Sequence, residues 1–185
     1  MKGEKLQNYI NRLVGNRPLE KLGKPFAAVA TELGTGESVS FVRDNTGSAV
    51  RTSFSIPGVF EPVSINGKKY LDGGVASPVP VDAARKLGGE FVIAVDISRK
   101  AMDATPSRSM LGVVGQSITI MGQRLGEPEL ARADIIIRPK VGRIGATDFD
   151  QKNLAILEGE KAALAAIPQI REALEQKRKS LSVFR

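Results

Sequence analysis

Apolar and polar residues recur along this chain in two rhythms, one helical and one strand-like. Leu6, Ile10, Leu13 and Val14 fall at three- and four-residue spacing, which predicts an amphipathic helix over residues 4–14, stopped by Gly15 and Pro18. Phe26 to Leu33 is a short apolar run between Pro25 and Gly34, the pattern of a buried strand. After a turn at Thr35-Gly36, residues 37–43 alternate in polarity with Val39 and Phe41 on one side, so the two runs predict a hairpin. A short helix is expected over residues 48–55, ended by Pro57-Gly58. Asn66-Gly67 is a two-residue turn signal that joins Pro62–Ile65 to Lys68–Leu71 in a second hairpin.

Further along, Val81–Leu87 predicts a short helix capped by Gly88-Gly89, and Phe91–Asp96 a buried strand. Residues 99–108 are expected to be a polar loop. A longer helix follows over about 109–125, with Met110, Val113, Val114, Ile118, Met121 and Leu125 as its apolar stripe, expected to face the core. Ala133–Arg138 reads as another strand, ended by Pro139, and residues 142–150 as a loop. Residues 152–166 and 169–181 are expected to be helical, separated or kinked at Pro168, with a frayed end. Apolar strands alternating with helices predict an α/β fold, a mostly parallel sheet flanked by helices, in a single domain over residues 1–185 whose last part, from about 167, is a C-terminal helix and tail.

Composition narrows the chemistry. The 185 residues are 42% hydrophobic and 25% charged, within the globular range, which excludes a disordered chain or a coiled coil. With no Cys there is no disulfide framework, and with no His the Ser-His-Asp and Cys-His mechanisms and most zinc sites are excluded within this chain. Hydrolysis would have to use carboxylates, hydroxyls, Lys or another segment. The net charge of +7 comes from scattered basic residues, the one dense run being Lys177-Arg178-Lys179, expected to be a solvated helix end. Basic stripes interleaved with aromatics are missing, so no nucleic-acid partner is expected. The first residues are polar and no run approaches the ~20 apolar residues that span a bilayer. Location is left open, with the cytoplasm favoured.

The stretch that carries chemistry is Arg51-Thr-Ser-Phe-Ser-Ile-Pro-Gly-Val-Phe-Glu-Pro-Val63, followed by Tyr70-Leu-Asp-Gly-Gly-Val-Ala-Ser-Pro-Val-Pro-Val81. A strand end fixes the height of Asp72, and Gly73 and Gly74 permit a sharp bend and a close backbone or ligand approach. An Asp-Gly turn by itself is common in any protein. The two blocks together resemble the second conserved block of patatin-like phospholipases, and Phe26–Glu37 and Phe91–Ser98 are similar to that family's flanking strands. The resemblance runs from about Gly3 to Ala166.

That resemblance implies a three-layer α/β fold and a lipid acyl hydrolase with a Ser-Asp dyad. Asp72 maps onto the dyad aspartate, with Gly73 and Gly74 shaping the turn behind it. No metal and no organic cofactor are implied. The implied partner is a lipid or ester substrate, with a possible peripheral membrane contact, while the oligomeric state is not read. The nucleophile motif Gly-x-Ser-x-Gly does not occur in the 185 residues, nor does the family's glycine-rich oxyanion loop. The expectation is a C-terminal portion of such a domain, inactive by itself. The alternative is a non-catalytic remnant or binding module that keeps the fold.

Other candidates are weaker. Asp96 ends a strand, as a ribose-binding acid does in dinucleotide folds, but Gly-x-Gly-x-x-Gly is not found, so it reads as a structural turn cap. Gly34-Thr-Gly36 lacks the Gly-Lys-Ser/Thr of a phosphate loop and reads as a turn. Arg51, Ser53 and Ser55 lie near the family's active site by resemblance, and ordinary capping and packing is the preferred reading for the two serines.

Overall fold

The computed structural model describes residues 2–98, 109–145 and 148–182. The loop expected at 99–108, part of the loop at 142–150 and the last residues of the tail lie outside the described residues. The residues gather into two compact units, Met1–Gly89 and Glu90–Arg185.

The first unit begins with helix α1 (Glu4–Leu13), followed by strands β1 (Ala28–Glu32) and β2 (Ser38–Phe41), helix α2 (Thr46–Ser53), strands β3 (Val63–Ile65) and β4 (Lys68–Asp72), a single 3-10 turn at Gly73–Val75 and helix α3 (Val81–Lys86). Its sheet has the order β2-β1-β4-β3, and all three pairings are antiparallel. In this unit the sheet is antiparallel where a mostly parallel one was expected. The reason is the length of the connections. β3 and β4 are joined by two residues, Asn66 and Gly67, both at positive φ (51° and 78°), and so short a link can only reverse the chain. β1 returns as β2 through a turn in which the Gly36 amide donates to the Glu32 carbonyl at 2.8 Å. β1 lies between two neighbours, and all five of its residues are buried.

Edge-on packing of Phe41 against Tyr70, with ring centroids 5.2 Å apart and planes at 79°, links strands β2 and β4. At the other end of the sheet Lys68 Nζ reaches Glu32 Oε2 at 2.8 Å, and the hydrogen bond to Glu32, followed by its charge, raises the Lys68 pKa. α1 meets α2 through polar contacts rather than through its apolar spacing alone. The Gly47 amide donates to Asn11 Oδ1 at 2.8 Å, Asn11 Nδ2 donates to Asn45 Oδ1 at 3.1 Å, and Arg51 Nη1 donates to Gln7 Oε1 at 3.0 Å. Asn45 also caps α2, its Oδ1 accepting from the Ser48 amide at 2.8 Å. Leu13, expected on the buried face of α1, is 64% exposed.

The second unit contains strand β5 (Ile93–Val95), helix α4 (Met110–Leu130), strand β6 (Ile135–Ile137), a 3-10 turn at Phe149–Gln151 and helix α5 (Lys152–Ser182). β5 and β6 pair parallel, Ile93 opposite Ile135 and Val95 opposite Ile137. Parallel pairing needs a crossover, and α4 lies within the connection between these strands. Two expectations change here. The stripe on α4 was expected to be core, but Met110, Val113, Val114, Ile118, Met121 and Leu125 are all exposed. α5 runs through Pro168 without interruption. Near its end Lys177, expected to be solvated, is tied down: Nζ donates to Asp134 Oδ1 at 3.2 Å and to the Glu90 carbonyl, and lies 5.8 Å from the Phe91 ring centre. No described helix is long and apolar enough to cross a membrane.

Candidate active site

Asp72 is the last residue of β4, opposite Ala30 of the central strand. Three hydrogen bonds fix it. Its amide donates to the Ser55 carbonyl at 3.0 Å, just past the end of α2. Its carbonyl accepts from Thr31 Oγ1 at 2.9 Å, on β1. Its carboxylate Oδ1 accepts from the Gly74 amide at 2.7 Å. Backbone and side chain are therefore held from separate elements, and Oδ2 has no protein partner among the described residues.

The two glycines have different reasons to be there. A β-carbon on Gly73 would lie 2.2 Å from the Val29 carbonyl oxygen, well inside contact distance, so only glycine lets the turn pass this close to β1. Gly73 is buried, and its carbonyl accepts from the Ser77 amide at 2.8 Å. Gly74 is exposed, and a β-carbon there would meet only Asp72 Oδ1, at 3.0 Å. One glycine serves packing. The other keeps space beside the carboxylate.

Asp72, Gly73 and Gly74 line a cleft of about 330 Å³. Phe26 to Val29 form one wall, beyond the point where β4 stops pairing with β1, and Val50 and Ser53 of α2 and Ser77 with its neighbouring prolines complete it. No cation pairs with Asp72 among the described residues. Burial pushes its pKa above the ordinary carboxylate value of 3.8, and the Gly74 amide pulls back in the opposite direction. Such a carboxylate is a stronger proton acceptor than a solvated one.

The other sequence candidates separate. Ser55 is buried and its Oγ donates to the Arg51 carbonyl at 2.9 Å, a packing role as expected. Ser53, given the same reading, lines the cleft with Asp72. Ser77, whose neighbours in Val75-Ala-Ser-Pro do not fit the Gly-x-Ser-x-Gly pattern, also lines it, because the glycine turn brings it back to the cleft. Arg51 joins α2 to α1, and its Nε is buried without a hydrogen-bond partner. Asp96 lies in the second unit, where Oδ1 accepts from the Ser98 amide at 3.0 Å, the turn cap expected of it. No group of His, Cys, Asp or Glu that could hold a metal ion is found among the described residues.

The sequence profile described as patatin-like phospholipase matches residues 1–85, the stretch that contains Asp72, Gly73 and Gly74. That match falls within the first unit, and there the chain is similar to this family. It is similar to an uncharacterized NTE family protein of Mycobacterium tuberculosis, 34% identical over 108 residues, covering 58% of this chain and 29% of that protein. A second uncharacterized NTE family protein of the same organism is 28% identical over 190 residues, covering 90% of this chain and 33% of the relative. Patatin-like phospholipase domain-containing protein 7 of Rattus norvegicus is 32% identical over 110 residues, 56% of this chain and 8% of the rat protein. The chain thus spans a third or less of the length of these relatives.

Proposed function

We propose that this chain supplies the acid–base half of a lipid acyl hydrolase, with Asp72 as the dyad aspartate toward a serine that is not among the 185 residues. The observation that carries the reading is the Asp72 carboxylate itself: it ends a strand, lines a cleft, has no cationic partner among the described residues and is held above its ordinary pKa by burial. The match to patatin-like phospholipases over residues 1–85 supports a lipid or other carboxylic ester as substrate.

In this reading Asp72 takes the proton of the serine hydroxyl as its oxygen attacks the ester carbonyl, and returns it to the departing alcohol. Water then attacks the acyl-serine with Asp72 again as base, releasing the carboxylic acid and restoring the hydroxyl. Gly73 and Gly74 hold the carboxylate in place throughout. The absence of histidine is no obstacle, because one carboxylate carries both proton transfers.

The chain alone is expected to turn over little chromogenic short-chain ester, and substantial turnover abolished by a serine-directed inhibitor would reveal a nucleophile within it. In a protein that joins this sequence to a Gly-x-Ser-x-Gly segment, Asp72→Asn keeps the shape and removes the base. Activity surviving that change would take Asp72 out of the mechanism. A second reading, a non-catalytic remnant or binding module, is favoured by one fact, that Gly-x-Ser-x-Gly does not occur in this sequence. Genomic sequence around the coding region separates the two.

A further inference from the structure

The second unit carries a cavity that the reading of Asp72 does not use. Parallel strands present their carboxyl ends on one side, the place where open α/β sheets bind ligands. At that end of β5 and β6 lies a cavity of about 610 Å³, lined by Asp96 and Ser98 following β5, by Arg138 and Lys140 following β6, and by Arg143 from the next turn.

The charges there are arranged rather than scattered. The Asp96 side chain is 1% exposed, and its Oδ2 accepts from Arg138 Nε at 3.2 Å while Oδ1 is taken by the Ser98 amide. A buried acid thus holds the guanidinium by its Nε edge. The Arg138 side chain stays 53% exposed, with its terminal amino groups outside that ion pair. Lys140 and Arg143 have no ion-pair partner among the described residues. Among the described lining residues Asp96 is the one carboxylate, against Arg138, Lys140 and Arg143, so these residues carry an excess of two positive charges. Two acids close to this region are engaged elsewhere: Asp148 Oδ2 accepts from the Gly145 amide at 2.9 Å, and Glu158 of an adjoining cavity is paired with Lys161 at 2.9 Å. Cations without partners, placed beside one oriented by a buried carboxylate, form a site for a ligand of opposite charge.

We propose that this cavity binds a phosphate-type oxyanion, its two negative charges matching the excess on the lining. The ligand is either free phosphate or the phosphorylated head group of a lipid, which share the chemistry that Arg138, Lys140 and Arg143 recognise.

The test is calorimetric titration of the 185-residue chain with inorganic phosphate at low ionic strength. It is paired with sedimentation against vesicles of phosphatidylcholine with and without phosphatidic acid. Lys140→Gln and Arg143→Gln are each expected to weaken binding about ten-fold or more. Both residues are exposed, and thermal melting checks that the variants fold. Arg171→Gln, the same loss of charge on an exposed part of α5 outside the cavity, is expected to change nothing, and Arg143→Lys to retain most of the binding. Binding of inorganic phosphate with this pattern identifies the free anion as sufficient. The same pattern with the phosphatidic acid vesicles alone identifies the lipid head group. Failure to bind either ligand, or equal weakening by Arg171→Gln, overturns the site. Neither result bears on Asp72, which belongs to the other unit.

Discussion

The hydrogen of Gly73 faces the carbonyl of Val29 so closely that a β-carbon in its place would sit 2.2 Å from that oxygen. The turn after Asp72 is thereby pressed against the central strand. Gly73→Ala must push strand and turn apart, and a loss of about 3 kcal/mol is expected from overpacking at this buried site. Urea unfolding of the variant checks it, and a melt within error of the parent would mean that the turn does not lie against β1.

Gly74→Ala should behave differently. Its new methyl meets only the Asp72 carboxylate oxygen, at 3.0 Å, in an exposed position. Stability is expected to fall by less than about 1 kcal/mol. The Asp72 carboxylate is displaced from the Gly74 amide, and because that hydrogen bond lowers the pKa, the variant should titrate at higher pH than the parent. Carboxyl chemical shifts followed against pH give the answer, and an unaltered titration would sink the idea.

Asp72→Asn tests the burial of the charge. Burial raises the folded-state pKa of Asp72 above the ordinary 3.8, so the folded protein holds this proton more tightly than the unfolded chain. The stability contributed by that proton is fully present below the ordinary value and is lost as pH rises through the raised one. At neutral pH the Asn variant, which keeps an oxygen to accept from Gly74, is therefore expected to be more stable than the parent. The gap should close on acidification through the raised pKa. Unfolding curves at a series of pH values measure this, and a parent more stable than the variant at pH 7 would contradict it.

The exposed face of α4 makes a prediction of its own. Val114 and Ile118 are 52% and 54% exposed. Replacing each by Lys is expected to change stability by no more than about 0.5 kcal/mol, as for other surface substitutions. Were these residues core, a buried unpaired charge would cost several times that, and thermal melting distinguishes the two.

Where the signal was local, the chain could be read directly. Asn66-Gly67 dictates a reversal because both residues accept positive φ, and the strand that follows delivers Asp72 to its end whatever surrounds it. The spacing from Met110 to Leu125 likewise showed which residues share a helix face. It could not show what covers that face, since periodicity records a direction and not a neighbour. At Pro168 the sequence suggests an interruption worth about 3 kcal/mol, yet helix formers such as Ala162, Leu164 and Ala165 before it and Glu172 to Lys177 after it carry α5 through.

Residue order by itself therefore determined the hairpins, the α/β character and the candidate acid with its two glycines, because turn chemistry and short-range patterning act between neighbours along the chain. Tertiary structure alone decided that β1 pairs with β4 as well as with β2, that Gly73 rests on Val29, that Ser53 and Ser77 share a cleft with Asp72, and that Asp96 holds Arg138 42 positions away. These depend on which distant segments meet. A strand's second edge, a carbonyl at van der Waals range and a buried carboxylate's choice of cation are settled by packing in space, and no local pattern of residues encodes them.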